Sequence, residues 1–310
     1  MQHPSISICY LNSVDSTNDY CKRLLAKDGV LKCAQKNAQD TVQTRAENFS
    51  QNNADEFVRT TEAIKLPFAV VALEQTKGRG RLGRKWHSPP GGAYISLALM
   101  VNHPNENPDA LAAVSPLSAL AVCKALEKYR CASVKWPNDV VCANEKLAGI
   151  LVERIGTVKN DSAIIVIGVG VNVVDTNFAD LKLTSKDKIQ LSPTFVTNGQ
   201  QPTGFNNPNR QSNENNLNNL IYELSETIIA SLHDHICEWQ ENGHLFSRFI
   251  SDYKAKLVTL GQDVIVRNAL GEVIASGKAI DVGANGELVL RSGDVVSKVA
   301  TGEVTLRDIA

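Results

Sequence analysis

Four short stretches carry side chains that could do chemistry. EQTKGRGRLGRKWHS (Glu74–Ser88) packs five cationic residues, three glycines and a tryptophan between two apolar runs. Glycine lets backbone amides approach an anion closely, and Arg79, Arg81 and Arg84 can each grip a phosphate or carboxylate through two nitrogens. Trp86 and the arginine stems could cover an apolar group. This chemistry suits a loop that closes over an anionic, partly apolar molecule. Composition alone equally fits a solvated basic loop that binds nothing, or that binds RNA without specificity. No GK[ST] follows, so it is not a P-loop, and it is not a dinucleotide fingerprint.

The other three are weaker singly. KWPNDVVCANEKLAGILVE (135–153) sets Asn138 and Asp139 at a strand end, with Lys146 seven residues after Asp139 on an otherwise apolar strand beside Gly149. A lysine entering a core strand is costly unless an anion or carboxylate awaits it; otherwise it is a surface lysine at a hairpin tip. In GVGVNV (168–173), Gly168 and Gly170 bare a strand face for a flat ring, and the Asn172 amide can pair with an adenine edge; close sheet packing explains the glycines as well. DSTN (15–18) is a polar strand-to-helix turn, a helix cap whose hydroxyls remain able to touch a ligand.

Elements must position these groups. Strands are expected over 6–12, 68–74, 93–101 and 162–173, and strand–turn–strand–turn–strand over 132–156 with a tight turn at Ala143–Asn144. Helices are expected from Asp15 or Ser16 to Gly29, over 107–130 with Pro116 bending the first turns, and over 219–240 and 244–257. Two polar segments, 30–62 and 175–217, interrupt this order. Eight of the fifteen residues from Phe205 to Asn219 are asparagine, which predicts an exposed loop or disorder there. After Gly261 short alternating stretches with turns at Asn268–Gly271, Asn285–Gly286 and Ser292–Gly293 predict a small β-barrel of about five strands.

Bulk properties bound the class. The 310 residues hold a large domain plus a small one. A net charge of −1 argues against a broad nucleic-acid surface. Seven cysteines, an odd number without a CxxC pair, argue for reduced thiols in a cytoplasmic compartment and against a zinc site or disulfide framework. No signal peptide or membrane span is recognisable.

Taken together and in this order, DSTN, EQTKGRGRLGRKWHSPPGGAYISL, KWPNDVVCANEKLAGILVE and IGVGVNV resemble the biotin protein ligases. The resemblance covers roughly 5–29, 66–173 and the β-rich tail, and omits both polar insertions. It implies an α/β (α+β) fold: a class II synthetase-like catalytic domain (1–258), with a mixed β-sheet flanked by helices, followed by an SH3-like barrel (259–310). It implies a two-step reaction, from biotin and MgATP to biotinoyl-5′-AMP, then transfer to a lysine of a biotin carboxyl carrier domain. Carried over by position, biotin falls to Ser16, Thr17, Asn18, Gln75, Gly78, Arg79, Trp86, Lys146 and Gly149. ATP falls to Arg81, Arg84, Asn138, Asp139 and Asn172, with Asp139 as a Mg²⁺ contact. Lys146, Arg79, Arg81 and Arg84 are the implied catalytic residues. The basic loop is expected to be mobile when empty, because its five like charges repel, and to fold over an anionic ligand. DSTN begins fifteen residues into the chain, so no winged helix, operator binding or repression is expected. A homodimer is left open. The rivals are a lipoate or octanoyl transferase, which lacks the Gly/Arg loop, and a non-catalytic RNA- or carrier-binding module.

Overall fold

The computed structural model describes residues 6–27, 65–102, 108–158, 162–175, 191–197 and 210–306. The first polar insertion, 30–62, lies outside the described residues. Seven strands form one mixed sheet in the order β1-β2-β3-β7-β6-β5-β4. These are β1 (Ser7–Leu11), β2 (Phe68–Ala72), β3 (Gly92–Asn102), β4 (Ser133–Lys135), β5 (Asp139–Cys142), β6 (Glu145–Val158) and β7 (Ser162–Asn172). Only β1 and β2 pair in parallel.

Both faces are covered, so β2 is apolar at every position while its side chains still alternate. On β2, Ala69 and Val71 join one buried cluster, and Phe68, Val70 and Ala72 join another. The second cluster lies under helix α1 (Thr17–Lys27), which supplies Cys21, Leu24 and Leu25. The first lies under α2 (Val114–Leu126) and α3 (Arg210–Glu241), which supply Leu117, Leu120, Ile228 and Leu232. A short helix, α4 (Ile250–Lys256), completes that layer.

Two expectations change. The stretch expected as one helix over 107–130 is a 3-10 turn, Pro108–Ala113, followed by α2. Pro116 falls in the first turn of α2, where a missing N–H costs no intrahelical bond. The asparagine-rich segment expected as loop is instead helical from Arg210, nine residues before the expected start at Asn219. Leu217 and Leu220 pack against the apolar cluster, and once such anchors fix a helix, extending it costs little per residue.

The tail forms a second, antiparallel sheet of β8 (Asp263–Arg267), β9 (Val273–Val282), β10 (Leu288–Ser292), β11 (Val295–Val299) and β12 (Glu303–Leu306), in the order β11-β10-β9-β8-β12. Its turns fall where expected: Gly271, Gly286 and Gly293 have φ of 82°, 80° and 60°, values that favour glycine. Val264, Val266, Ala279, Leu288, Leu290 and Val304 belong to the same apolar cluster as the α2–α3 layer. Among the described residues no helix is long and apolar enough to cross a membrane.

Candidate active site

The alternation that fills the α1 side of the sheet with apolar residues stops short of one end. On β7, Ile164 and Val166 belong to the cluster under α1, and the next two residues of that parity are Gly168 and Gly170. On the neighbouring β6 the same face carries Gly149, paired with Gly170, and Leu151, paired with Gly168. The missing side chains leave a cleft of about 610 Å³, open mouth included. Ser16, Thr17, Gln75, Trp86 and Lys146 are among its lining residues. The glycines are sterically required. A Cβ on Gly170 would lie 2.3 Å from Trp86 Nε1, one on Gly149 2.8 Å from Trp86 Cζ3, and one on Gly168 2.3 Å from Asn18 Oδ1.

Lys146 reaches this cleft through a bulge. By parity it should point with Ala148 and Ile150 into the α2–α3 core. The β5–β6 register instead jumps from Val140↔Ala148 to Val141↔Lys146, which leaves Leu147 as the extra residue and turns Lys146 to the cleft face. The expected carboxylate is there: Lys146 Nζ lies 2.8 Å from Asp139 Oδ1, with the side chains 18% and 17% exposed. Burial raises the Asp139 carboxyl, but Lys146, Lys135 and Arg81 outweigh it and hold it below the ordinary carboxylate range. Lys146 Nζ also sits 5.1 Å from the centre of the Trp86 ring.

The basic loop is a small hairpin. Gly80 N–H donates to Arg84 O at 2.8 Å and Trp86 N–H to Gly78 O at 3.0 Å, and the tip turns through left-handed Leu82 (φ 57°) and Gly83 (φ 74°). A Cβ at Gly78 would lie 2.4 Å from both Trp86 O and Ser88 Oγ, so glycine closes the hairpin base. Its arginines are tethered to three elements and to the turn between β4 and β5. Arg79 Nη2 meets Asp19 Oδ1 at 2.7 Å and Glu153 Oε2 at 2.8 Å. Arg81 Nη1 donates to Asn138 Oδ1 at 2.6 Å. Arg84 pairs with Glu303 of β12. The expectation of a loop left to self-repulsion is corrected to this extent: the hairpin from Gly78 to Trp86 contains no acid, but α1, β6 and β12 bring three to it. Burial lowers the Arg81 guanidinium, and Asp139 opposes that shift.

The DSTN turn joins the hairpin through Gln75. Its Oε1 accepts from Thr17 N–H at 2.9 Å and Thr17 Oγ1 at 3.1 Å, and its Nε2 donates to Ser88 Oγ at 2.9 Å. Ser16 Oγ caps α1, accepting from Asp19 N–H at 3.4 Å. Asn18 Oδ1 accepts from Ser96 Oγ at 2.5 Å. Asn172 stands apart from the cleft lining: its side chain is buried and donates to Lys146 O at 3.0 Å.

A second cavity of about 420 Å³ adjoins the first, sharing Arg84, Asn138 and Lys146, and adds Lys135, Asp139 and Glu303. The sequence reading passed over Lys135, Glu303, Asp19 and Glu153. Lys135 and Asp139 are cross-strand partners. Burial pulls the Lys135 ammonium down, opposed by Asp139 and reinforced by Lys146 and Arg84. Glu153 had a signal, since it shares the parity of Gly149 and Leu151 on β6. Glu303 and Asp19 had none, because their partners are distant in sequence.

This cleft falls largely within the stretch that matches a family model. Residues 44–172 match the biotin/lipoate A/B protein ligase family. That match takes in less than half of the chain. It is 41% identical over 113 residues to the bifunctional ligase/repressor BirA of Escherichia coli, a match spanning 36% of this chain and 34% of that protein. It therefore spans about a third of that relative's length. It is 26% identical over 258 residues to a biotin–[acetyl-CoA-carboxylase] ligase of Mycobacterium tuberculosis, covering 81% of this chain and 84% of that one. The fold is shared with a biotin protein ligase from Aquifex aeolicus solved with biotin and ATP, at a TM-score of 0.60 and 23% identity over 97% of this chain and 98% of that one.

Proposed function

We propose that the chain is a biotin protein ligase. The observation that carries this reading is the Lys146–Asp139 pair set over a glycine floor and faced by the Gly/Arg hairpin. Together they make a cationic, partly apolar cleft with room for a bicyclic acid and a phosphate. In the first step a biotin carboxylate oxygen bonds the α-phosphorus of ATP, and the bond to pyrophosphate breaks. Negative charge gathers where Lys146 and Arg81 point, and preorganised cations act most strongly in a site that excludes water. The bulge holds Lys146 in place, and Asp139 keeps it oriented. Trp86 gives the ring system an apolar wall. In the second step a neutral carrier lysine attacks the acyl carbon and AMP leaves, a reaction that needs mainly orientation.

Adenine is assigned to the Asn172 end, with a reduced role for that side chain, since its amide donor is already engaged. The described residues do not by themselves make a Mg²⁺ site. No group of three candidate ligands occurs among them, and Asp139 is committed to Lys146. Magnesium is therefore assigned to the nucleotide, with no ligand assigned to it among the described residues. The catalytic part comprises residues 1–258 and the supporting sheet 259–310. The carrier is the biotin domain of a carboxylase, acetyl-CoA carboxylase first among them given the names of the relatives, and the enzyme is expected to work in the cytoplasm without binding operator DNA. The test is transfer of labelled biotin to a purified carrier domain, together with pyrophosphate release that depends on biotin and not on lipoate. Lipoate-driven release, or none with either acid, would overturn the reading.

A further inference from the structure

We propose that Glu153 is the positioning residue of this site, the anchor that holds the Gly/Arg hairpin and the DSTN turn in place through Arg79 and Asn18. Its carboxylate is a junction. Oε2 accepts from Arg79 Nη2 and from Asn18 Nδ2, each at 2.8 Å, and Oε1 accepts from Lys22 Nζ at 2.9 Å. Three donors from two segments, α1 and the hairpin, thus converge on one half-buried group, whose side chain is 21% exposed. An exposed pair of this kind contributes little to stability. A carboxylate that accepts three charge-assisted or amide bonds from inside a sheet face differs, because losing it takes the acceptor from Asn18 Nδ2 and leaves Arg79 and Lys22 to Asp19.

Each bond fixes something the cleft needs. Asn18 lines the cleft, and its amide is oriented at one end by Glu153 and at the other by Ser96. That orientation packs Asn18 over Gly168, where no Cβ would fit. Arg79 stands at the base of the hairpin, bridged to Lys85, so holding its guanidinium fixes the strand that leads to Arg81. Asp19 shares the same Arg79 nitrogen and bonds Lys22 at 3.1 Å, closing a ring of two acids and two bases. With both carboxylates on it, Arg79 is a tether for the loop, and contact with a ligand's charge is left to Arg81 and Lys146. The sheet itself sets this arrangement: Glu153 follows Gly149 and Leu151 on one face of β6, so the floor and the anchor are one strand.

The kinetic part of this inference rests on the ligase reading, and the structural part does not. Trypsin cleavage of the free protein at Arg81 and Arg84 measures the anchor without any ligand. Glu153→Gln should raise that cleavage by about ten-fold, the size expected for losing one charged acceptor, with only a modest fall in the unfolding midpoint. Arg79→Gln should raise it similarly, and the double variant should add little, because both remove the same tether. In turnover, Glu153→Gln should raise the KM for biotin more than it lowers kcat, and Glu153→Asp should restore part of the loss. Parent-like cleavage in Glu153→Gln, or multiplying effects in the double variant, would overturn the anchor. If Glu153→Gln fails to fold, Arg79→Gln carries the test alone: parent-like cleavage in it likewise overturns the anchor. A parent protein that protects its hairpin but releases no biotin-dependent pyrophosphate would sink the ligase reading and leave the anchor standing.

Discussion

Lys146 and Asp139 form the most consequential residue pair. Removing the ammonium by Lys146→Ala should cut biotin-dependent pyrophosphate release by about 10²–10³, the usual loss for one charge-stabilising contact in a dry site, while the sheet stays folded. Near-parent release would take Lys146 out of the chemistry. Acid should act through the carboxylates. Asp139 and Glu153 are both held below the ordinary carboxylate range, Glu153 because Lys22, Asn18 and Arg79 outweigh its burial. A depressed folded value means their stabilisation is full above the unfolded value of about 4 and is lost as pH falls through the lower folded value. Hairpin protection and the unfolding midpoint should therefore hold from about pH 5 upward and fall below about pH 4. Asp139→Asn should flatten part of that fall; an unchanged profile would show the pair to be uncoupled from stability. The sequence left Lys146 between two readings, a core-strand lysine met by an anion or carboxylate and a surface lysine at a hairpin tip, and its pair with Asp139 fits the first. The sequence could not show that a one-residue bulge would turn it, because parity alone sends it into the core.

At the scale of elements, the hairpin and the glycine floor answer to each other. The indole of Trp86 rests where Gly149 and Gly170 lack side chains. Gly170→Ala must push it off by more than an ångström, and the KM for biotin should rise at least ten-fold, about 1.4 kcal/mol. An unaltered KM would mean that the indole does not define the ligand space. Arg81→Gly removes the tether to Asn138 and the cation aimed along the cleft. It should let the adenylate escape and label lysines of unrelated proteins, whereas biotin plus ATP should protect the parent hairpin from trypsin. Equal cleavage with and without ligands, and no added labelling, would end the latch idea. The strands, α1 and the Ala143–Asn144 turn were legible because each follows a local rule: alternation, capping, or a turn whose two residues have φ of 49° and 65°. The tethers were not, since Arg79 meets Glu153 across 74 residues and no local pattern encodes that meeting. The helix from Arg210 was hidden for a related reason, because leucines packed on a distant sheet override a polar composition.

Across the whole molecule, the tail sheet reaches the cleft twice. Glu303 takes Arg84, and Trp136, beside the Asn138–Asp139 turn, donates its indole N–H to Gly286 O at 2.9 Å. A chain ending at Leu260 would strip both partners and bare the apolar side of a shared core. It should label carrier far more slowly than the full chain and lose thermal stability; full-rate labelling would show the tail to be dispensable. The sequence announced the second sheet through its turns and texture, but gave no hint that Trp136 is its docking point. That single indole, buried to 2% exposure between the two sheets, has a calorimetric consequence. Two modules joined by a linker would melt as two overlapping heat peaks. Two sheets that share one apolar cluster and a buried hydrogen bond should absorb heat in one peak, with van't Hoff and calorimetric enthalpies that agree. Trp136→Phe, which keeps one aromatic ring but deletes the N–H and the pyrrole that packs beside it, should split or broaden that peak before it abolishes the fold.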